Sequence, residues 1–132
     1  SSGLVGSEMC IRDSVDTLCV ITPGGEETKH LVNSNILQKL GKNGFLINIA
    51  RGSVIDQQAL IHALQNKIIC GAGLDVFENE PNVPDDLMNL DNVILTPHIG
   101  SATVETRYDM GKLVYDNVVQ MLTENSTISP VN

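Results

Sequence analysis

Three side chains of this sequence, those of Arg51, Glu80 and His98, have the types needed for anion binding and proton transfer. The planar guanidinium of an arginine can hold a carboxylate with two parallel hydrogen bonds. Histidine is the usual general acid or base near neutral pH, and a neighbouring carboxylate can hold its ring. Together the three groups suit a reaction in which an anionic substrate exchanges a proton with the protein.

Each of the three also has a plainer structural interpretation. Arg51 can be a surface residue beside a turn, Glu80 one of several acids in a solvated loop, and His98 an ordinary solvated histidine. The other two histidines have no comparable setting. We interpret His30 as a loop or helix-entry residue and His62 as a helix-face residue. The choice between the chemical and the structural interpretation depends on the strands and helices that position Arg51, Glu80 and His98.

The apolar pattern predicts strands that alternate with short helices. The four predicted strands lie within residues 17–21, 45–49, 68–76 and 93–95. Their continuous apolar runs are typical of strands that are covered on both faces. Asn33 or Ser34 can cap a helix over residues 36–40, and Gly41 can end it. Asp56 can cap the helix that follows the second strand.

This alternation is typical of an α/β fold with a parallel sheet and right-handed crossovers. In such sheets, ligands bind beyond the carboxyl ends of the strands. The polar residues after the apolar runs are therefore the site candidates, and they are Thr22, Asn48, Arg51, Asp75 and His98. An amphipathic helix that begins near Ser101 or Ala102 ends the chain, and its methionines suit core packing better than cofactor binding.

Composition narrows the class of protein. The 132 residues suffice for one small domain but not for a two-domain enzyme. A net charge of −8 disfavours nucleic acids and anionic membranes as partners. No apolar run is long enough to span a bilayer, and the three cysteines match no zinc or disulfide pattern. We therefore predict a cytoplasmic protein without a metal site. Residues 1–13 lack periodicity and are interpreted as an artefactual segment.

Four consecutive strings of the sequence resemble a known family: ITPGGEETKHLVN, LINIARGSVID, GAGLDVFENEPNVP and LTPHIGSATVETR. They are similar to the C-terminal signatures of the D-isomer-specific 2-hydroxyacid dehydrogenases, most of all to the glyoxylate/hydroxypyruvate reductases. The resemblance runs from about Ser14 to the end of the chain. It implies the C-terminal half of a Rossmann-type NAD(P)-binding domain over residues 14–98. Residues 99–132 would be a helix and tail that belong to the substrate domain.

The resemblance also implies a role for each candidate. Arg51 would bind the carboxylate and keto oxygen of a small 2-keto acid. His98 would protonate that oxygen as hydride arrives from the nicotinamide, and Glu80 would orient His98 and favour its imidazolium form. Asp75 would lie near the nicotinamide carboxamide. The residues implied to contact NAD or NADP are Thr22, Pro23, Ile49, Ala50, Arg51, Asp75, His98, Gly100 and Ser101.

One part of the family pattern does not occur in the sequence. The phosphate-binding G-x-G-x-x-G turn is missing, because the glycines at 71 and 73 have no third partner and the chain runs on as a strand. We therefore interpret the chain as a fragment that is inactive alone, from a parent that the resemblance implies is a homodimer. One alternative to an enzyme is a nucleotide-sensing, corepressor-like binding module of the same family. Another interpretation, an inactive truncated product, concerns this chain alone and is compatible with an enzyme as its parent.

Overall fold

The computed structural model describes residues 15–130. The chain divides into two compact units, Ser1–His98 and Ile99–Asn132, and each is described by itself. The segment 1–13, predicted to be artefactual, lies outside the described residues. Within the described part of the chain, no helix is long and apolar enough to cross a membrane.

A four-stranded parallel sheet forms the centre of the first unit. The strands lie in the spatial order β1-β2-β3-β4, and every neighbouring pair is parallel. Their bounds are β1 Thr17–Val20, β2 Phe45–Asn48, β3 Gly71–Leu74 and β4 Val93–Leu95. Spatial order follows chain order because each crossover returns the chain to the next free edge. The predicted α/β fold with a Rossmann-type parallel sheet is confirmed.

Helices and single turns connect the strands. The helices are α1 Ser34–Leu40, α2 Gln57–Gln65, α3 Asp85–Met88 and, in the second unit, α4 Val104–Glu124. Short 3-10 turns span Glu26–Thr28 and Gly52–Val54. The sequence pattern did not indicate α3 or the two 3-10 turns, because segments of three or four residues carry no measurable apolar period.

The predicted helix caps are confirmed in part. The Asn33 side chain accepts hydrogen bonds from the backbone N–H groups of Asn35 and Ile36, so Asn33, and not Ser34, caps α1. The Asp56 carboxylate caps α2 through the N–H of Ala59. These bonds satisfy N–H groups that have no partner within the helix, which is why Asn and Asp are favoured at this position.

The core lies on one face of the sheet. The helices α1 and α2 pack there with the inward side chains of the strands, and the fully buried members include Leu37, Leu46, Leu60, Leu64 and Ile69. The prediction that the strands are covered on both faces is wrong for the described residues. Side chains alternate between the faces of a strand, and on the opposite face Phe45 is 45% exposed and Ile94 is 73% exposed.

The third predicted strand is much shorter in the structure. Residues 68–70 form a bend before β3, although Ile69 is completely buried. The apolar run arises there because Ile69 packs into the core, not because the segment pairs with a neighbouring strand. The glycines of β3 lie within the strand, which confirms that Gly71 and Gly73 do not form a phosphate turn.

The second unit consists mainly of helix α4. The helix begins at Val104, and not near Ser101 or Ala102, because the Thr103 hydroxyl accepts the backbone N–H of Thr106 and caps it. None of its side chains is buried among the described residues. The prediction that its methionines pack in a core is therefore wrong for this chain, since Met110 and Met121 are about half exposed.

Candidate active site

A cavity of about 890 Å³ opens at the carboxyl end of the sheet, where the loops after all four strands meet. Seven of the predicted site residues line it: Thr22, Pro23, Ile49, Ala50, Arg51, Glu80 and His98. The loops after β1 and β2 supply the first five of these, and the loops after β3 and β4 supply Glu80 and His98. The parallel sheet brings them together because its strands all end at the same edge.

The imidazole of His98 lies against a carboxylate in this cavity. Its Nδ1 is 2.8 Å from Oε2 of Glu80, while Oε1 of Glu80 accepts the backbone N–H of Phe77 at 3.0 Å. The bond to His98 is the main cause that lowers the pKa of Glu80 below its ordinary value, and the bond to Phe77 and the charge of Arg51 act in the same direction. Glu80 is therefore a fixed anion beside an imidazole.

Arg51 is held by a buried asparagine at the end of β2. The Asn48 side chain is 1% exposed, donates to the carbonyl of Arg51 at 3.1 Å and accepts the N–H of Ala50 at 3.0 Å. These two bonds turn the chain sharply after the strand. The Arg51 Nη1 then donates to the Ala50 carbonyl at 2.6 Å. Asn48 thus shapes the turn, whereas the guanidinium remains at the cavity wall.

The next residue must be glycine for steric reasons. A Cβ at Gly52 would lie 1.9 Å from the carbonyl carbon of Phe77 and 2.4 Å from the backbone nitrogen of Glu78. No side chain fits at that distance. The turn after β2 therefore lies directly against the loop after β3, and this contact brings Arg51 to the same cavity as Glu80.

Three predicted cofactor residues are not placed in the cavity lining. Asp75 is buried at the end of β3, and its carboxylate accepts the hydroxyl of Thr96 at 2.6 Å. Gly100 and Ser101 belong to the second unit, which is described by itself. Asp75 is thus bonded on one side to the residue that follows β4, and on the other its backbone N–H donates to the carbonyl of Asn48 at the end of β2 at 3.0 Å.

The sequence interpretation missed several residues of the cavity. Gly24, Gly25, Ser53, Phe77 and Glu78 also line it. The sequence offered two signals for them. Gly24 and Gly25 follow a predicted strand closely, and Glu78 is an acid two positions before Glu80.

The interpretation of His30 as a loop residue holds, but its partner was missed. Its Nε2 is 3.2 Å from Oε1 of Glu78. His30 therefore has a carboxylate beside its ring, a setting that the sequence interpretation had assigned to His98 alone. His62 lies exposed in α2, as expected for a helix-face residue.

The chemistry of the cavity suits a ligand with both apolar and polar parts. Ile21 and Ile49 line it with side chains that are 72% and 55% exposed. A flat ring that covers this apolar surface would bind favourably, because the surface is removed from water. The Thr22 hydroxyl oxygen is buried and has no hydrogen-bond partner among the described residues. A group that bonds to this hydroxyl would remove the cost of leaving it unpaired. Within residues 15–130, no cluster of three potential metal ligands occurs.

Comparisons with known proteins agree with this geometry. A family model described as the NAD binding domain of D-isomer specific 2-hydroxyacid dehydrogenases matches residues 8–100. A 2-ketogluconate reductase of Gluconobacter oxydans is 47% identical over 88% of this chain and 37% of its own length. A glyoxylate/hydroxypyruvate reductase B of Serratia proteamaculans is 50% identical over 82% of this chain and 34% of its own length.

A solved structure shows the same likeness. The NADPH-dependent glyoxylate/hydroxypyruvate reductase of Sinorhizobium meliloti, in complex with NADP and malonate, is similar with a TM-score of 0.90 and 50% sequence identity. The similarity covers 97% of this chain and 39% of that one. The chain thus spans between 34% and 39% of the length of these three relatives.

The fold and the matched range define an oxidoreductase cofactor-binding domain of the α/β class. The chain belongs to the D-isomer-specific 2-hydroxyacid dehydrogenase family. The resemblance inferred from the four sequence strings is therefore confirmed, as is the similarity to glyoxylate/hydroxypyruvate reductases.

Proposed function

We propose that this chain is the C-terminal part of an NAD(P)-dependent reductase that converts a small 2-keto acid, such as glyoxylate or hydroxypyruvate, to the 2-hydroxy acid. The observation that carries the proposal is the 2.8 Å contact between His98 and Glu80 in the cavity that Arg51 also lines. A proton donor and an anion-binding cation at one strand edge are what the reduction of an anionic ketone requires. The names of the relatives support the substrate class.

In this proposal, His98 is the proton donor. Its Nδ1 faces Glu80, so its Nε2 is the ring atom that remains to protonate the keto oxygen. The chemistry that a reduced nicotinamide would supply here, when bound, is a hydride to the keto carbon. With that hydride on carbon and the proton from Nε2 of His98 on oxygen, the product would be a 2-hydroxy acid. Glu80 keeps the ring oriented for this transfer through its bond to Nδ1.

Arg51 holds the substrate in the proposed reaction. Its guanidinium would bind the carboxylate of the 2-keto acid and polarise the keto oxygen, which places the carbonyl beside His98. Negative charge that develops on the keto oxygen during hydride transfer would be stabilised by the Arg51 guanidinium and by the proton that His98 donates.

The residues proposed to hold the cofactor fall into two groups. Thr22, Pro23, Ile49 and Ala50 line the cavity and would contact the nicotinamide end of NAD or NADP. Asp75 is proposed to receive the carboxamide, although its side chain is buried against Thr96. Gly100 and Ser101 are proposed as further cofactor-binding residues. The cofactor pyrophosphate would bind at a glycine-rich phosphate turn. We propose that this turn belongs to the part of the full-length protein that this chain does not span.

The proposal extends to the chain and to its parent protein. Because the chain spans only 34% to 39% of the relatives, we propose that it binds a dinucleotide poorly and has no reductase activity alone. We also propose that the parent is a homodimer, which light scattering of the full-length protein would test.

An assay of both forms tests the proposed function. The full-length protein that carries this chain, and the chain alone, would be mixed with NADH or NADPH and with glyoxylate, hydroxypyruvate or 2-ketogluconate. We expect turnover within about 1–10³ per second for the full-length protein, and none for the chain. Tight NADH binding without turnover of any 2-keto acid would instead favour a nucleotide-sensing binding module. Turnover by the chain alone would refute the fragment interpretation.

A further inference from the structure

Gly24 lies against the side chain of Arg51. A Cβ placed at Gly24 would lie 2.8 Å from Cγ of Arg51 and 3.3 Å from its Cβ. Non-bonded carbon atoms prefer separations of about 3.5–4.0 Å. The aliphatic stem of Arg51 therefore occupies space that exists only because Gly24 has no side chain.

The neighbouring glycine of the same turn has a different reason to be glycine. Gly25 has a φ of +141°, a conformation that other residues rarely adopt, but a Cβ there would meet no atom within 4 Å. Gly24 shows the reverse, since its constraint is the contact with Arg51. Gly25 is thus required for the backbone conformation of the turn, whereas Gly24 is required for the space that the Arg51 side chain occupies.

Arg51 cannot relieve a clash by moving its backbone. Asn48 holds the carbonyl of Arg51, and the following Gly52 lies directly against the backbone of Phe77. A methyl group at position 24 would therefore push the Arg51 side chain off its rotamer. That rotation would also break the bond from Nη1 to the Ala50 carbonyl, which now directs the guanidinium.

We propose that Gly24 is a positioning residue that sets the direction of the Arg51 side chain in the cavity and thereby controls how well the site binds the carboxylate of a 2-keto acid. This inference rests on the proposed function, because that function makes Arg51 the carboxylate-binding group. Gly24 itself touches neither substrate nor reacting atoms in this scheme; it acts through Arg51.

The test is a double-mutant cycle on the full-length protein that carries this chain. Gly24→Ala should raise the KM for glyoxylate and the inhibition constant of oxamate, a non-reducible 2-keto acid analogue. An arginine forced off its rotamer loses about 0.5–1.5 kcal/mol, which corresponds to a rise between about twofold and tenfold. We expect kcat to change less than KM.

The Arg51→Ala background shows whether Gly24 acts through Arg51. Alanine lacks the Cγ that a Gly24→Ala methyl would meet at 2.8 Å and keeps only the Cβ contact at 3.3 Å, so the second substitution should have a much smaller effect on the oxamate constant there. Gly25→Ala is the matched control. It strains the same turn without touching Arg51, so its effect should be equal in both backgrounds. An equal effect of Gly24→Ala in the two backgrounds would overturn the proposal.

Melting temperatures of the same variants keep the test decisive if Gly24→Ala folds poorly. A clash with Cγ of Arg51 predicts that Gly24→Ala lowers Tm in the wild-type background and that Arg51→Ala restores most of the loss. Equal losses of Tm in both backgrounds would overturn the contact as the cause. A full-length protein without reductase activity would refute the proposed function, whereas coupled melting temperatures would still establish the contact between Gly24 and Arg51.

Discussion

The structure contains two imidazole–carboxylate pairs of the same chemistry, which differ in the backbone groups that hold them and in their position relative to the cavity. His98 meets Glu80 at 2.8 Å, and His30 meets Glu78 at 3.2 Å. Both carboxylates belong to the loop after β3, and both histidines have a φ slightly above +50°. The exposed fractions of the four side chains are also similar, between 31% and 47%. Exposure alone therefore does not tell which pair is the reactive one.

The surroundings of the two pairs separate them. Oε1 of Glu80 accepts the backbone N–H of Phe77, which leaves Oε2 fixed beside His98. His98 lines the cavity, and His30 does not. The backbone N–H groups do not separate the histidines, since that of His30 donates to the carbonyl of Ser53 at 2.9 Å and that of His98 to the carbonyl of Thr96 at 3.0 Å. An imidazole–carboxylate contact alone therefore does not identify a candidate proton donor. His98 differs from His30 because its carboxylate partner also accepts a backbone N–H and because its ring lines the cavity.

The largest expected effect concerns the two histidines. His98→Gln in the full-length protein should lower kcat for glyoxylate reduction by about 10²–10⁴-fold, because a general acid is removed. His30→Gln, which breaks the other pair, should lower it by less than about tenfold, since an exposed pair contributes little. Steady-state rates at saturating cofactor measure both, with His62→Gln as a surface control. Equal losses for His98→Gln and His30→Gln would erase the distinction between the pairs.

A smaller effect on the reaction is expected from replacing Arg51, which lines the same cavity as His98 and Glu80. Arg51→Lys should raise the KM for glyoxylate by about tenfold or more, because an ammonium group cannot reproduce two parallel hydrogen bonds to a carboxylate. The exposed Arg107 of α4 provides the control substitution Arg107→Lys, which should leave KM unchanged. If Arg51→Lys kept the wild-type KM, the carboxylate of the substrate would have to bind elsewhere.

The smallest effect is electrostatic and concerns Glu80. The bond from His98 is the largest cause that lowers the pKa of Glu80, so His98→Gln should raise that pKa back toward its ordinary value. His30→Gln should leave the pKa of Glu80 where it is. A carbon-13 NMR titration of the Glu80 carboxyl group in the wild type and both variants measures this. A similar rise in both variants would show that the two pairs are coupled.

The same pKa shift has a consequence for stability. A carboxylate with a lowered pKa in the folded state stabilises the protein above its unfolded pKa, and that contribution disappears as pH falls through the lowered value. The difference in unfolding free energy between wild type and Glu80→Gln should therefore vanish in acid. Because the pair is partly exposed, this difference should not exceed about 1 kcal/mol at neutral pH. A difference that persists unchanged in acid would contradict the assignment.

Local patterns in the sequence were sufficient for much of the fold. A short continuous apolar run between turn residues favours a strand, so β4 was predicted with its exact bounds and β1 and β2 to within one residue. Asn33 and Asp56 were predicted as helix caps because a cap depends on a side chain and a backbone N–H two or three residues away. The exposed face of the sheet was not predictable, since it depends on which surfaces the packed helices cover.

The sequence by itself also determined which polar groups meet at one edge of the sheet, because residues that follow parallel strands share that edge. Only the tertiary structure decided the contacts between loops that are distant in the chain. His30 and Glu78 are 48 residues apart, and neither residue type indicates the other as its partner. The contacts of Gly24 with Arg51 and of Gly52 with Phe77 are of the same kind. Such contacts depend on distances of a few ångströms between separate segments, and no short-range pattern in the sequence encodes those distances.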